Sequence, residues 1–439
     1  MQCILRLMIC SLLMITTVHA EDWPQWMGPH RDGRWNETGT IDAFPADGAK
    51  ILWRKPLSGG YSGPAVVNGK VYVFDYVRED GKLQNNPVAR KKFNGEERLL
   101  CLDAKTGEKV WEYKYSCPYE ISFASGPRCT PTVIDGVVYA LGAEGTLSCL
   151  DANTGSRVWT KELKKEYNTE SPMWGFCSHP LVDGNKVICA VGGQGSTLVA
   201  FDKKTGAELW KAVSAKEQGY CPPAIYTVGK TRQLIHWNAE NITSLDPETG
   251  KEFWSQPLKP QYAMSIMSPR LEGNQLFAGG IGFVSACFDL DTDAPAAKLA
   301  WKGDNKSSMC PINMTPIIEN GYIYGIDQPG QLRCVELKTG KRVWESLLPT
   351  TGKKDGRPQN SGTVFLVKNG DKFFLFSETG HLIIAKMSPA GYEELSRAKV
   401  LEPTNECFNR PVVWSHPAFA DKCCFARNDQ EIVCVSLSK

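Results

Sequence analysis

The chain has 439 residues, with 50 basic and 48 acidic side chains and a formal net charge of +2. No block of like charge stands out, which argues against nucleic acid or an anionic membrane surface as partner. Sixteen cysteines suggest an exported protein with a disulfide framework, an idea that their positions then qualify.

Residues 1–20 do not read as fold. Arg6 is followed by a mostly apolar run from Leu7 to Val18, and Val18-His19-Ala20 precedes acidic Glu21. This is the pattern of a secretory signal peptide cut after Ala20, leaving a secreted or periplasmic chain. Its apolar core is shorter than the roughly 20 residues of a membrane span, and no later segment is apolar enough to cross. Segment 21–50 carries Trp23, Trp26 and Trp35 among prolines and glycines. It reads as an extended strap packed on the body of the protein, with a sugar-binding aromatic platform as the alternative.

The body, residues 51–439, is built on one repeat. Cys-Leu-Asp-Ala-x-Thr-Gly-x-x-Val-Trp occurs at Cys101–Trp111 and at Cys149–Trp159. Looser copies run from Phe201 to Trp210, Leu245 to Trp254 and Cys334 to Trp344, and a degenerate one ends at Trp301. A spacing in the forties means one supersecondary unit repeated. The unit is clearest at Thr130 to Trp159: a strand to Ile134, an Asp135-Gly136 hairpin, a strand Val137–Leu141, a third strand through Cys149, a tight turn from Asp151 to Gly155, and a fourth strand opening at Val158-Trp159. Four short antiparallel strands per unit make a propeller blade.

First-strand openings fall near Pro64, Pro131, Pro180, Pro223, Pro269, Pro316, Thr363 and Pro417. Fourth-strand markers fall at Trp53, Trp111, Trp159, Trp210, Trp254, Trp301, Trp344 and, degenerately, Leu395. The last unit lacks a fourth strand, and Ile51-Leu52-Trp53 has no blade before it. The pattern predicts an all-β, eight-bladed propeller closed by the N-terminal strand, with seven blades as the alternative. The repeated tryptophans are expected to fill the wedge between blades. Cys101, Cys149, Cys287, Cys334 and Cys434 share one slot of the repeat, so they face the same way and lie too far apart to bridge. Loop cysteines Cys117, Cys129, Cys177, Cys221, Cys310 and Cys407 are the better pairing candidates, with partners unassigned.

The Asp-Ala-x-Thr-Gly-x-x-Val-Trp string resembles the pyrroloquinoline-quinone-like repeat, over about residues 51–437. Asp22-Trp23-Pro24-Gln25-Trp26-x-Gly28-Pro29-x-Arg31-Asp32-Gly33 also resembles the opening of exported bacterial members of that superfamily. The resemblance implies the eight-bladed propellers shared by quinoprotein alcohol dehydrogenases and by outer-membrane assembly lipoproteins of the BamB type. In the dehydrogenases two adjacent bonded cysteines lie on the quinone, a tryptophan stacks opposite, and a Glu/Asn/Asp set holds Ca²⁺. The one adjacent pair here is Cys423-Cys424. Aligning the eighth unit on the second places it at Val137-Val138, in a second strand, where neighbours point to opposite faces. Asp289, Asp291 and Asp293 lack the glycine and distal Glu of an EF-hand loop. His30, His179, His236, His381 and His416 show no metal-ligand spacing.

A propeller binds at its channel, where loops enter the innermost strands. The distinctive loops are Ser125-Gly126-Pro127-Arg128, Trp174 to His179, Gly219-Tyr220, Met264 to Arg270, Asn313, Gln359-Asn360 and Arg410 to His416. Ser-His-Pro occurs twice, at 178–180 and 415–417. The candidate site is therefore Arg128, Trp174, His179, Tyr220, Arg270, Asn313, Arg410, Trp414 and His416. Two arginines favour a carboxylate or phosphate; the tryptophans favour a flat ring or a sugar face. Trp237 to Glu240 reads as a rim turn, and residues 78–97 as a polar surface insertion. The expected function is non-catalytic: a monomeric binding or scaffold module for an envelope protein or a small anionic or carbohydrate ligand, without cofactor. The alternative is an alcohol or sugar dehydrogenase using pyrroloquinoline quinone with Ca²⁺.

Overall fold

Small residues set opposite large ones organise each blade. The computed structural model describes residues 21–83 and 85–439, so the predicted signal peptide lies outside the described residues. In the second blade, strands Thr132–Ile134, Val137–Leu141, Thr146–Asp151 and Arg157–Glu162 run antiparallel from channel to rim. Cys149 of the third strand stands directly opposite Trp159 of the fourth, and the register then shifts by a β-bulge. The same pairing recurs as Cys101–Trp111, Cys287–Trp301 and Cys334–Trp344. Ala200 and Ser244 take the slot opposite Trp210 and Trp254. The repeated cysteine is thus a small residue that leaves room for an indole across the ladder.

The indole is the mortar between blades. Trp111 donates its Nε1–H to Ala152 O and Trp159 to Lys203 O, at 3.1 Å each, reaching the turn of the following blade. That turn is the Asp-x-x-Thr-Gly segment. Asp151 Oδ1 accepts the backbone N–H of Thr154 at 2.8 Å and its hydroxyl at 2.9 Å. Gly155, at φ +73°, lies flat on the Trp111 ring. Blade 5 replaces the glycine with the Asp291-Thr292-Asp293 turn, and there Trp254 bonds Gln233 Oε1 of its own blade instead.

Eight four-stranded sheets follow this plan, spanning 65–116, 132–162, 181–212, 224–257, 270–303, 317–346, 364–399 and 418–436, which we number blades 1 to 8. The eighth is completed by Ile51–Pro56, whose Trp53 pairs with Cys434. The seventh has no tryptophan in its outer strand, Gly391–Lys399, but keeps the bulge, after Ile384. Cys423 and Cys424 sit in the second strand of blade 8, Cys423–Arg427.

Two expectations change. Every one of the fourteen cysteines among the described residues is free, so the loop cysteines do not pair. Trp23 and Trp35 are almost wholly buried, so the strap is no exposed sugar platform. Rather, the strap enters the channel from the hairpin face, where Asn68 N donates to Asp22. It exchanges backbone bonds with Val66, is met by Val133 N at Pro24, turns at residues 25–33, and leaves past Lys368 to Leu437. It corks the channel, and the other end stays open.

Candidate functional site

The open end is a pit of about 1120 Å³. All eight inter-blade loops contribute to its wall, because the loop entering each inner strand converges on the axis. Of the expected residues, Arg128, Trp174, His179, Tyr220, Asn313, Trp414 and His416 line it together. Arg270 and Arg410 do not. Arg270 is buried below the floor and donates to Arg31 O at 2.7 Å. Arg410 is held off the pit by Glu378, at 2.9 Å.

The twin Ser-His-Pro segments build the floor. Each serine anchors its loop to the neighbouring chain, Ser178 through Cys221 O at 2.8 Å and Ser415 through Arg427 O at 2.6 Å. The two imidazoles then meet at 6.3 Å, nearly perpendicular. Trp26, at the tip of the strap, stacks on His179 at 4.9 Å and donates Nε1–H to His416 Nε2 at 3.3 Å. His179 Nδ1 accepts Thr130 N–H at 3.0 Å. Each neutral ring therefore carries its proton on the remaining nitrogen, His179 Nε2 and His416 Nδ1. Desolvation holds both rings neutral: His416 is pushed down to about 3, and His179 well below the usual imidazole range, the latter helped by His416 and Arg31.

Beneath the floor lies Arg31, its guanidinium 5.3 Å from the Trp26 ring. It donates to Pro180 O at 2.9 Å and His179 O at 3.2 Å. Burial lowers its pKa to about 10, so it stays charged at neutral pH. Arg128 in the wall spends its N–H groups on carbonyls of Trp174, Ser122, Phe123 and Gly126, which pins two loops together. Among the described residues none of Arg31, Arg128 and Arg270 has a carboxylate within 4.0 Å.

The walls are aromatic: Tyr61, Phe123, Trp174, Tyr220, Phe365 and Trp414. Trp174 meets Tyr220 edge-on at 5.5 Å, and Trp414 leans on Phe123 at 5.8 Å while its indole N–H goes to Glu378. Sequence reasoning did not place Trp26, Tyr61, Phe123, Tyr262, Phe365 and Phe408 at the pit; all but Phe365, in the inner strand of blade 7, lie outside the blade strands, and they share no motif. The 78–97 insertion is more than a surface loop. Its Lys91–Phe93 strand pairs with Tyr119–Ile121, and Pro87 and Val88 reach the mouth. The Trp237 turn likewise brings Ala239 and Glu240 to the mouth, while Trp237 itself is buried. Phe123, Tyr262 and Phe408 sit at the mouth with φ of 51°, 57° and 48°, left-handed conformations that cost bulky residues energy and cluster where loops are held for a purpose.

A profile of the family described as "Outer membrane protein assembly factor BamB" matches residues 36–118 and 95–346. The chain belongs to this family. BamB of Shewanella oneidensis is 23% identical over 170 residues, covering 35% of this chain and 40% of that protein, so the alignment spans less than half of either. BamB from Moraxella catarrhalis superposes with a TM-score of 0.57 at 15% identity, over 88% of this chain and 99% of that one. Quinohemoprotein alcohol dehydrogenase from Comamonas testosteroni gives 0.63 at 14%, over 95% and 81%. At these identities the structures share the propeller and nothing finer.

The residues present do not suit pyrroloquinoline quinone with Ca²⁺. Cys423 and Cys424 lie in a paired strand and are not among the pit residues. No group of three or more His, Cys, Asp or Glu among the described residues converges as a cation would need. The quinone is a tricarboxylate, and the guanidinium that reaches the pit wall is already committed to four carbonyls.

Proposed function

We propose that this chain is an exported, non-catalytic binding module of the bacterial envelope, acting as a monomer, with its ligand site in the channel pit. The observation that carries the reading is the pit itself: a preformed cavity walled by every inter-blade loop and floored by the strap. Family membership supports an envelope role, and the relatives' name, outer membrane protein assembly factor, suggests a partner among envelope proteins. No helix among the described residues is long and apolar enough to cross a membrane. Arg128 acts as a loop clamp, the histidines as neutral donors, and the aromatic walls as the recognition surface.

The test uses Cys177, which lines the pit and is the one described cysteine that is not fully buried. The protein is purified from the envelope of its own organism with and without alkylation by N-phenylmaleimide, and native mass spectrometry reads bound species. A ligand or partner present on the untreated protein and displaced by alkylation is the expected result. Species that stay bound after Cys177 is fully alkylated refute the pit as the site. Titration with pyrroloquinoline quinone and Ca²⁺ checks the dehydrogenase alternative, and no saturable absorbance change is expected.

A further inference from the structure

Three arginines gather at or below the pit, and among the described residues none has a carboxylate partner. Arg31 and Arg270 are buried and joined by a hydrogen bond from Arg270 to Arg31 O of 2.7 Å. Arg128 stands in the wall over the Tyr61 ring at 5.2 Å. Their partners are carbonyl oxygens, which satisfy N–H groups without cancelling charge. A buried cation without a counter-ion is costly. Elsewhere in the fold carboxylates stand near the buried arginines: Arg333 pairs with Asp327, half-buried Arg98 pairs with Asp75 at 2.8 Å, and Arg427, which bonds only the carbonyls of Asn428, Phe74 and Ser58, feels the charges of Asp429 and Asp75.

The field these charges set up has an outlet. The floor above Arg31 is Trp26, His179 and His416, and the rings' only free protons are on His179 Nε2 and His416 Nδ1. Two neutral N–H donors over an uncompensated positive charge, at the floor of the pit, suit one anionic oxygen acceptor. Above them the walls turn apolar, with Phe123, Trp174, Tyr220 and Trp414. The rim carries Lys216 and Lys259 against Glu217 and Glu240, so it adds no net sign. A phosphate or polyanion would leave most of its acceptors facing these rings, whereas a single carboxylate would not.

We propose that the pit binds a monocarboxylate with an apolar or aromatic body, head down between His179 and His416 and body against the aromatic wall. This rests on the pit being the ligand site. Because the imidazoles serve as neutral donors and the charge comes from arginine, binding stays constant between pH 5.5 and 8.

The test compares 4-phenylbutyrate with its uncharged analogue 4-phenylbutyramide by calorimetry on the purified chain. The carboxylate is expected to bind at least tenfold more tightly. In Arg31→Gln, whose amide still donates to the two carbonyls, that preference is expected to fall below threefold while amide binding holds. Arg270→Gln gives the same readout if Arg31→Gln does not fold. Equal binding of the two probes, both lost on alkylating Cys177, overturns the carboxylate assignment and leaves the pit reading standing. Binding that survives alkylation overturns both. Failure of both probes to bind overturns the monocarboxylate assignment.

Discussion

Two glycines in blade 2 separate what a turn costs from what the packing of blade on blade contributes. Gly136, in the hairpin after the inner strand, has φ +76° and nothing within 4 Å of where a Cβ would stand. Gly155, in the repeat turn, has φ +73°, and a Cβ there would meet Trp111 Cε3 at 2.6 Å. Both alanine substitutions pay the left-handed cost of about 1–2 kcal/mol. Gly155→Ala also forces the Trp111 indole off the turn that receives its hydrogen bond, an overpacking of about 1–3 kcal/mol. Gly155→Ala should therefore lose about 2–5 kcal/mol and Gly136→Ala about 1–2. Urea unfolding followed by tryptophan fluorescence gives both midpoints and slopes. Equal losses would refute the view that the repeat glycine is a seat for the neighbouring indole.

Thiol titration after denaturation should count fourteen free cysteines in a chain beginning at Glu21, and in the native state Cys177 alone should react quickly, since every other described cysteine is buried. Arg128→Ala should lower the melting temperature by several degrees, and Arg128→Lys should not restore it, because one ammonium cannot reach the carbonyls of Trp174, Ser122 and Phe123 together. His236 is buried, donates to Gln218 O at 3.0 Å, and is pushed down to about 4 by desolvation. Its folded pKa lies below its unfolded value, so the unfolded chain takes up the proton first and stability falls as pH drops from about 6.5 towards 4. At pH 5 that amounts to about 2 kcal/mol, and His236→Gln should shrink the acid-side loss in a pH series of melting curves.

The blade count and ring closure were legible because the repeat encodes contacts made identically many times. One small residue opposite one indole, one Asp-capped turn and one glycine seat recur until the period is unmistakable. Even the degenerate seventh unit could be placed, since its neighbours fix the spacing. The pit was legible only in part. Its loops could be located as the segments entering inner strands, and the doubled Ser-His-Pro marked two histidines that both reach the floor. Arg270 was misleading for a physical reason: a residue at the start of an inner strand can face either up to the mouth or down to the strap, and its partner, Arg31 O, belongs to a segment more than two hundred residues away in sequence. Trp26, Tyr262 and Phe408 were illegible because loops outside the repeat carry no periodicity to read. The cysteines misled because a small buried residue and a half-cystine are the same letter.

The closing sheet has a consequence for how the molecule comes into being. Arg54 and Glu431 form an ion pair across it, 377 positions apart in sequence. Seven blades can assemble from contiguous stretches of chain. The strand Ile51–Pro56 has to wait, unpaired, until Glu431–Ser436 exists. Bringing the two together costs on the order of 5 kcal/mol in loop entropy if nothing between them has folded, and far less once the intervening blades hold the ends near each other. The ring therefore checks its own completeness. A chain stopped short of its last strand would keep two open sheet edges, at Ile51–Pro56 and at Cys423–Arg427, which invite pairing with other chains and mark the unfinished molecule for capture or degradation.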